Sequence, residues 1–363
     1  MRIAQVGPIY WPVPPPRHGG IELMLSWLTE ELVRRGHEVT LFATGESKTS
    51  ATLDATEPVR FVMHPNQGTD GRDREAISEH YQRRTEAHIA RALARAGEFD
   101  VVHGHFGRHD FAAFTAGVAT PTLMTYHMPI DRALHLRHLE TTPCHFVALS
   151  RSHRGTLPGI SGLVPHGIRV ADVPFSASSG DGLVLVGRMV AEKGVHHAIT
   201  VAKETGLPLT LVGKSYVKKQ DKARYFQERI QPHVDDRQIR YTDALPNTEA
   251  RALMGQARAF LMPIEWEEPF GLVMIESLAT GTPVIAFRRG AAPEIVEDGV
   301  TGFVVDTVEE MVAAVRKIDR IDRAACRRAA EERFSVGHMV DAYERIYQEI
   351  IAAGPRRYAS EDR

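Results

Sequence analysis

Short apolar runs alternate with stretches in which apolar residues recur every three or four positions, and they do so along most of the chain. That alternation predicts buried strands separated by amphipathic helices, the pattern of βαβ units and a parallel sheet. In the first half the runs place strands at 2–6, 38–43, 59–63, 101–103, 122–125 and 146–149. A helix over 21–35 follows from Leu23, Leu25, Leu28 and Leu32, with Gly36 as its stop. A longer, charged helix is expected over 74–96. The pattern breaks at Pro165, Pro174 and the small-residue run 176–182, which marks 169–182 as a linker. It restarts with strands at 183–186, 209–212, 239–241, 259–262, 283–286 and 303–305. The expected organisation is two Rossmann-like α/β/α domains, 1–168 and 183–335, with mainly parallel sheets and no internal repeat. A last periodic helix near 336–352 is placed to cross back to the first domain, and a polar tail follows.

At 363 residues and 43% hydrophobic, the chain is long enough for two domains that each bury a core. The formal charge is -2, and both halves are nearly balanced, so nothing points to nucleic acid. Cys144 and Cys326 stand alone in different halves, without a metal-ligand spacing, so no disulfide framework is expected. The N-terminus lacks the long apolar core of a signal peptide, and no segment approaches the roughly 20 apolar residues of a membrane span. The expected compartment is the cytoplasm.

Two glutamates, Glu268 and Glu276, carry the strongest chemical signal. The first lies on the loop after the strand 259–262, and the second lies inside the helix expected at 272–280. Ligands of an open α/β sheet bind at that edge, beyond the carboxyl ends of the strands. An ionised carboxylate there can accept several bonds from sugar or ribose hydroxyls; two solvated charges beside a helix start are the plain alternative. Arg188 and Lys193 follow the strand 183–186 and arrive at the same edge. Arg grips phosphate oxygens bidentately and Lys adds a point charge, so the pair suits a diphosphate leaving group. Alone, it would read as a solvated basic loop. Gly19 and Gly20 open the first helix, where backbone N–H groups favour a phosphate. No Gly-x-Gly-x-x-Gly occurs, which argues against NAD or FAD.

Fourteen of the 18 histidines lie within residues 1–168. His127, just past the strand 122–125, is well placed to meet a substrate, and His166 invites a cleft or hinge role as readily as a plain turn. A zinc site from His103, His105 and His109 would need a suitable geometry and usually a fourth ligand. No Asp-x-Asp occurs to hold a metal-bridged diphosphate. Neither a metal nor a cofactor is therefore expected.

Taken together, these stretches resemble the retaining glycosyltransferases of family 4, which adopt the two-domain GT-B fold. The likeness runs nearly the whole length. It takes in Gly19-Gly20-x-Glu22, Asp100-Val-Val-His-Gly-His105, Val164-Pro-His-Gly-Ile168, Gly187-Arg-Met-Val-Ala-Glu-Lys-Gly194, Glu268-x7-Glu276 and the segment from Gly290 to Phe303. The resemblance implies that Arg188 and Lys193 hold the donor diphosphate and that Gly20 gives it a backbone N–H. It implies that Glu276 binds the nucleotide ribose and Glu268 a hydroxyl of the transferred sugar, with Phe270, Gly271 and Leu272 lining the pocket. His127 matches the first-domain histidine that lies close to the reacting sugar in the family. His103, His105 and His166 fall on the acceptor side, and His166 departs from the Asn-Gly often found there.

The implied reaction moves a hexose-type sugar from a nucleotide diphosphate, with uridine the commonest base, to an acceptor hydroxyl with retention. No second carboxylate is placed as a nucleophile, so a front-face route is expected. A sugar-nucleotide epimerase on the same fold and a catalytically silent binding protein are the alternatives. The loops 66–74 and 128–140 are expected to define the acceptor, either lipid-linked or a small molecule. The apolar and basic mixture of 128–139 would suit a membrane surface, and an ordinary packed helix explains it equally well.

Overall fold

A computed structural model describes residues 1–17, 19–60, 71–106, 111–215 and 220–358, with the backbone alone at 71–74 and 220–221. His109, the end of the tail and most of the expected strand 59–63 and loop 66–74 lie outside the described residues. The chain forms two compact units, Met1–Gly167 with Val336–Arg363, and Ile168–Ser335.

The first unit is built on seven strands: β1 (Arg2–Val6), β2 (Glu38–Thr44), β3 (Thr52–Glu57), β4 (Val101–Gly104), β5 (Thr122–Thr125), β6 (His145–Ala148) and β7 (Ile160–Leu163). They pair in parallel in the order β3-β2-β1-β4-β5-β6-β7. β1 and β4 are buried almost throughout, as expected of inner strands covered by helices on both faces. The helix Gly20–Arg34 packs Leu25, Leu28 and Leu32 into one core cluster, and Gly36, at φ 85°, lies just beyond its end.

The last helix, Val336–Ala353, returns to this unit. Its Met339, Val340, Tyr343, Ile346, Tyr347 and Ile350 recur at helical spacing and enter the same cluster. On the flank, Arg35 donates to Asp341 and Glu344 at 2.6 Å, and His37 meets Glu344 at 2.7 Å.

Two elements differ from expectation. The strand paired outside β2 is β3, over Thr52–Glu57, and neither it nor β7 was expected from the sequence. Both lie at sheet edges, where fewer apolar side chains are needed, and their sequences, Thr-Leu-Asp-Ala-Thr-Glu and Ile-Ser-Gly-Leu, carry little apolar signal.

The second unit has six parallel strands: β8 (Leu183–Val186), β9 (Leu209–Val212), β10 (Ile239–Thr242), β11 (Ala259–Met262), β12 (Val284–Phe287) and β13 (Gly302–Val305). Their order is β10-β9-β8-β11-β12-β13. The stretch expected as a linker is bonded into this unit. Ser176 N–H donates to Thr280 O, while Arg323 and Arg327 donate to the carbonyls of Ser176 and Val173. Both sheets reverse direction beside their first strand, between β1 and β4 and between β8 and β11. The loops leaving these strand pairs diverge, which makes each reversal a ready ligand site. Among the described residues, no helix is long and apolar enough to cross a membrane.

Candidate active site

In the second unit the reversal point brings together the loop after β8 and the loop after β11. Buried Met189 and Val190 anchor the first loop. Gly194 closes it at φ 62°, and a Cβ there would lie 1.7 Å from Pro263 O. Only glycine fits so close to the neighbouring loop, and the approach carries Lys193 against Glu268. Lys193 Nζ donates to Glu268 Oε2, and the Trp266 indole N–H donates to the same oxygen at 3.0 Å. The ammonium also lies 5.2 Å from the centre of the Trp266 ring, within cation–π range. Lys193 and Glu268 side chains are only 14% and 12% exposed, so the pair is largely desolvated. Arg188, half-buried on the same loop, has a guanidinium that no hydrogen bond or ion pair engages among the described residues.

The glycine-rich segment after β12 braces Glu268. Ala291 N–H donates to Glu268 O at 2.9 Å, and Gly290 N–H donates to Glu267 Oε2 at 2.7 Å. Phe270 is buried, and Gly271, at φ 94°, caps the helix Leu272–Ala279. That helix carries Glu276, which is buried against Arg251 of the helix Asn247–Gln256. Arg251 Nε and Nη2 donate at 3.1 and 2.6 Å, both to Oε1, so Glu276 Oε2 is left for another donor. Arg251 was not singled out from the sequence. Its one signal is an arginine on the apolar face of an Ala-rich helix, which ordinary snorkelling would also explain. Arg251→Met should destabilise the second unit by about 3–5 kcal/mol, because it strands the buried Glu276 carboxylate. The double variant Arg251→Met/Glu276→Met should recover much of that loss in urea titrations.

In the first unit, Gly20 starts the helix Gly20–Arg34 and Gly19, at φ 146°, stands at its N-cap without a side-chain acceptor. Glu22 in the first turn is buried, and burial pushes its carboxyl up to about 7 despite an opposing backbone hydrogen bond. A protonated Glu22 would not repel an anion at this helix start. His103 leaves β4, His105 follows it, and both are wholly buried. The ring nitrogens of His103 meet Tyr347 and Thr125, and those of His105 meet His127 and Gln5. All four nitrogens of these two rings are thus engaged by protein partners, and the third candidate ligand, His109, lies outside the described residues. His127 stacks on His166 at 5.3 Å between ring centres, and His166 is buried, not displayed on a turn. Burial pushes the imidazoles of His103, His105 and His127 well below their ordinary range, and that of His166 down to about 3.

The segment 128–140 contributes a packed helix, Arg132–Thr141, capped by Asp131. Its His135 is buried between Tyr126 and the carbonyl of Pro158, and His138 stacks on Phe146. Among the described residues, His196, His197 and Glu265 are the one group of three ligand-type side chains that converge. Hydrogen bonds from Tyr225 to His196 and between His197 and Glu265 account for their placement.

The predicted residues thus divide by unit. Gly19, Gly20, His103, His105, His127 and His166 belong to the first, and Arg188, Lys193, Glu268, Phe270, Gly271, Leu272 and Glu276 to the second.

Two family models adjoin along the chain: "Glycosyl transferase 4-like domain" matches residues 19–180 and "Glycosyl transferases group 1" matches 177–333. Glycogen synthase of Mycobacterium tuberculosis is 28% identical over 379 residues, covering 92% of this chain and 89% of the relative. AviGT4, a glycosyltransferase involved in avilamycin A biosynthesis, superposes with a TM-score of 0.72 at 20% identity, covering 98% of this chain and 100% of its own. HepE of Anabaena, solved with UDP-glucose, has a TM-score of 0.67 at 16% identity, covering 97% and 100%. The chain belongs to the family 4 type of glycosyltransferase, with the GT-B fold.

Proposed function

We propose that the chain is a retaining hexosyltransferase. It moves a sugar from a nucleotide diphosphate to an acceptor hydroxyl, and Arg188 and Lys193 stabilise the departing diphosphate without a metal. The observation that carries this reading is the Lys193–Glu268–Trp266 cluster at the strand-order reversal, beside the unengaged guanidinium of Arg188. A diphosphate binding there meets Lys193, held in a poorly solvated setting, and the unengaged Arg188, and such a setting stabilises charge developing on a leaving oxygen most. Glu276, oriented by Arg251 through one oxygen only, offers the other to the ribose hydroxyls. Glu268, already held by Lys193 and Trp266, is the acceptor for a hydroxyl of the transferred sugar. With no second carboxylate assigned as nucleophile, the acceptor attacks on the face that the phosphate leaves, and the phosphate takes the acceptor's proton.

HepE shares the fold and was solved with UDP-glucose, so UDP-glucose is the first donor to try. A thermal-shift screen of nucleoside diphosphates and sugar nucleotides should show one base preferred, since a ligand at about 100 Kd adds about 2.7 kcal/mol to the folded state. With that donor and a panel of sugar and lipid-linked acceptors, the product should keep the donor's anomeric configuration by NMR, and EDTA should leave the rate unchanged. Glu276→Ala should mainly raise the donor KM, because ribose contacts need not change at the transition state. An inverted product would contradict the mechanism, and conversion of the donor sugar with no acceptor present would contradict the transfer.

A further inference from the structure

A line of buried hydrogen bonds ties His127 to the last helix. His127 Nε2 lies 3.3 Å from His105 Nδ1, and His105 Nε2 lies 2.7 Å from Gln5 Oε1. The Gln5 amide nitrogen donates to the Tyr347 hydroxyl at 3.0 Å, and that hydroxyl lies 2.7 Å from His103 Nδ1. His103 Nε2 carries the line to Thr125 Oγ1, 2.8 Å away, which in turn lies 3.0 Å from the Tyr343 hydroxyl of the same last helix. Gln5, His103, His105, Thr125 and Tyr347 are all fully buried, and His127 is 9% exposed.

A neutral imidazole has one N–H and one lone pair, so each link in such a line has a single donor and one link sets the rest. Burial keeps the three imidazoles neutral. Gln5 Oε1 has no proton to give, so His105 Nε2 must donate to it. His105 Nδ1 is then a lone pair, and His127 Nε2–H donates to it. In the other direction, Tyr347 accepts from Gln5 and keeps its own proton available for His103 Nδ1. What remains is His127 Nδ1, a lone pair that is buried and has no hydrogen-bond partner among the described residues. Such an orphaned acceptor costs free energy until a donor reaches it.

We propose that Gln5 and Tyr347 are positioning residues that hold His127 in its Nε2–H form, so that Nδ1 is kept as an acceptor for a hydroxyl of a substrate bound at the first unit. The ligand half of this statement rests on the transferase reading above; the tautomer half stands on the buried line alone. Turning the Gln5 amide over would reverse the links from Gln5 through His105 to His127 and make His127 Nδ1 a donor, so the Gln5–Tyr347 bond decides which groups His127 can serve.

The test is ¹⁵N NMR of the full chain labelled in histidine. In the free protein, His127 and His105 should each show a protonated Nε2 and an unprotonated Nδ1. A protonated Nδ1 on His127 would overturn the proposal. Gln5→Met should mix the two tautomers at both rings and lower kcat/KM roughly tenfold, the equivalent of about 1.4 kcal/mol. An unchanged single tautomer in that variant would remove Gln5 from the role. Should Gln5→Met fail to fold, Tyr347→Phe, which frees the amide to turn, takes its place with the same two outcomes. Addition of a hydroxyl-bearing substrate should shift the His127 Nδ1 resonance, and a bound substrate that leaves it unmoved would overturn the hydroxyl contact. If no sugar nucleotide binds at all, the functional reading fails and the hydroxyl contact with it, while the free-protein spectrum still decides the tautomer.

Discussion

Arg188→Ala and Lys193→Ala should each lower kcat by about two to three orders of magnitude, equivalent to losing about 3–4 kcal/mol of leaving-group stabilisation. The two variants should differ in stability. Arg188 has no partner for its guanidinium among the described residues, so its removal should leave the melting temperature of the free protein nearly unchanged. Lys193 is bonded to Glu268, whose side chain is 12% exposed, and its removal leaves that carboxylate with only the Trp266 N–H. Lys193→Ala should therefore also melt earlier, since stranding one partner of a desolvated pair is costly. Steady-state kinetics with calorimetry on the same samples separates the two effects. Near-normal turnover in both variants would remove the cations from the mechanism.

Mild acid should destabilise the first unit. Burial holds His103, His105 and His127 far below 6.5, His166 at about 3 and His88 at about 4. Each is neutral when folded and takes up a proton below 6.5 only when unfolded. Its stabilisation is thus present above that pH and is lost as pH falls, by about 1.4 kcal/mol per unit for each group. Glu22 acts oppositely. Its folded value of about 7 lies above the ordinary 4.5, so the native state gains from its protonation as pH falls through that window. Five imidazoles against one carboxyl leave a net loss of stability as pH falls below 6.5. Urea titrations between pH 7.5 and 5, followed on buried Trp27 in a Trp11→Phe/Trp266→Phe background, measure the slope. A flat profile would mean that the imidazoles are not held neutral.

Most inner strands and the carboxylate-and-cation motif were legible because both are written locally. A strand such as Ala259–Met262 is a continuous apolar run, and Glu268 and Glu276 are fixed to one strand–loop–helix unit. β3 and β7 were not legible, since edge strands need little apolar surface. The contacts that orient the site were also hidden, because they join residues far apart in sequence. Arg251 lies 25 positions from Glu276, and Gln5 lies 342 from Tyr347. Gln5 did leave a trace, as the one amide inside the apolar strand Arg2–Val6, but nothing local names its partner. The partners of the buried histidines were hidden for the same reason. His103-x-His105 looks like a ligand pair until the tyrosine and glutamine that occupy its nitrogens are brought in by the fold.

The central claim is that Arg188, Lys193 and Glu276 together receive a nucleotide diphosphate. A crystal structure grown with the nucleoside diphosphate preferred in the thermal-shift screen tests it most directly. The account predicts phosphate oxygens on Arg188 and Lys193 and a ribose hydroxyl on Glu276 Oε2. A nucleotide bound elsewhere, with none of these three side chains touching it, would contradict the account.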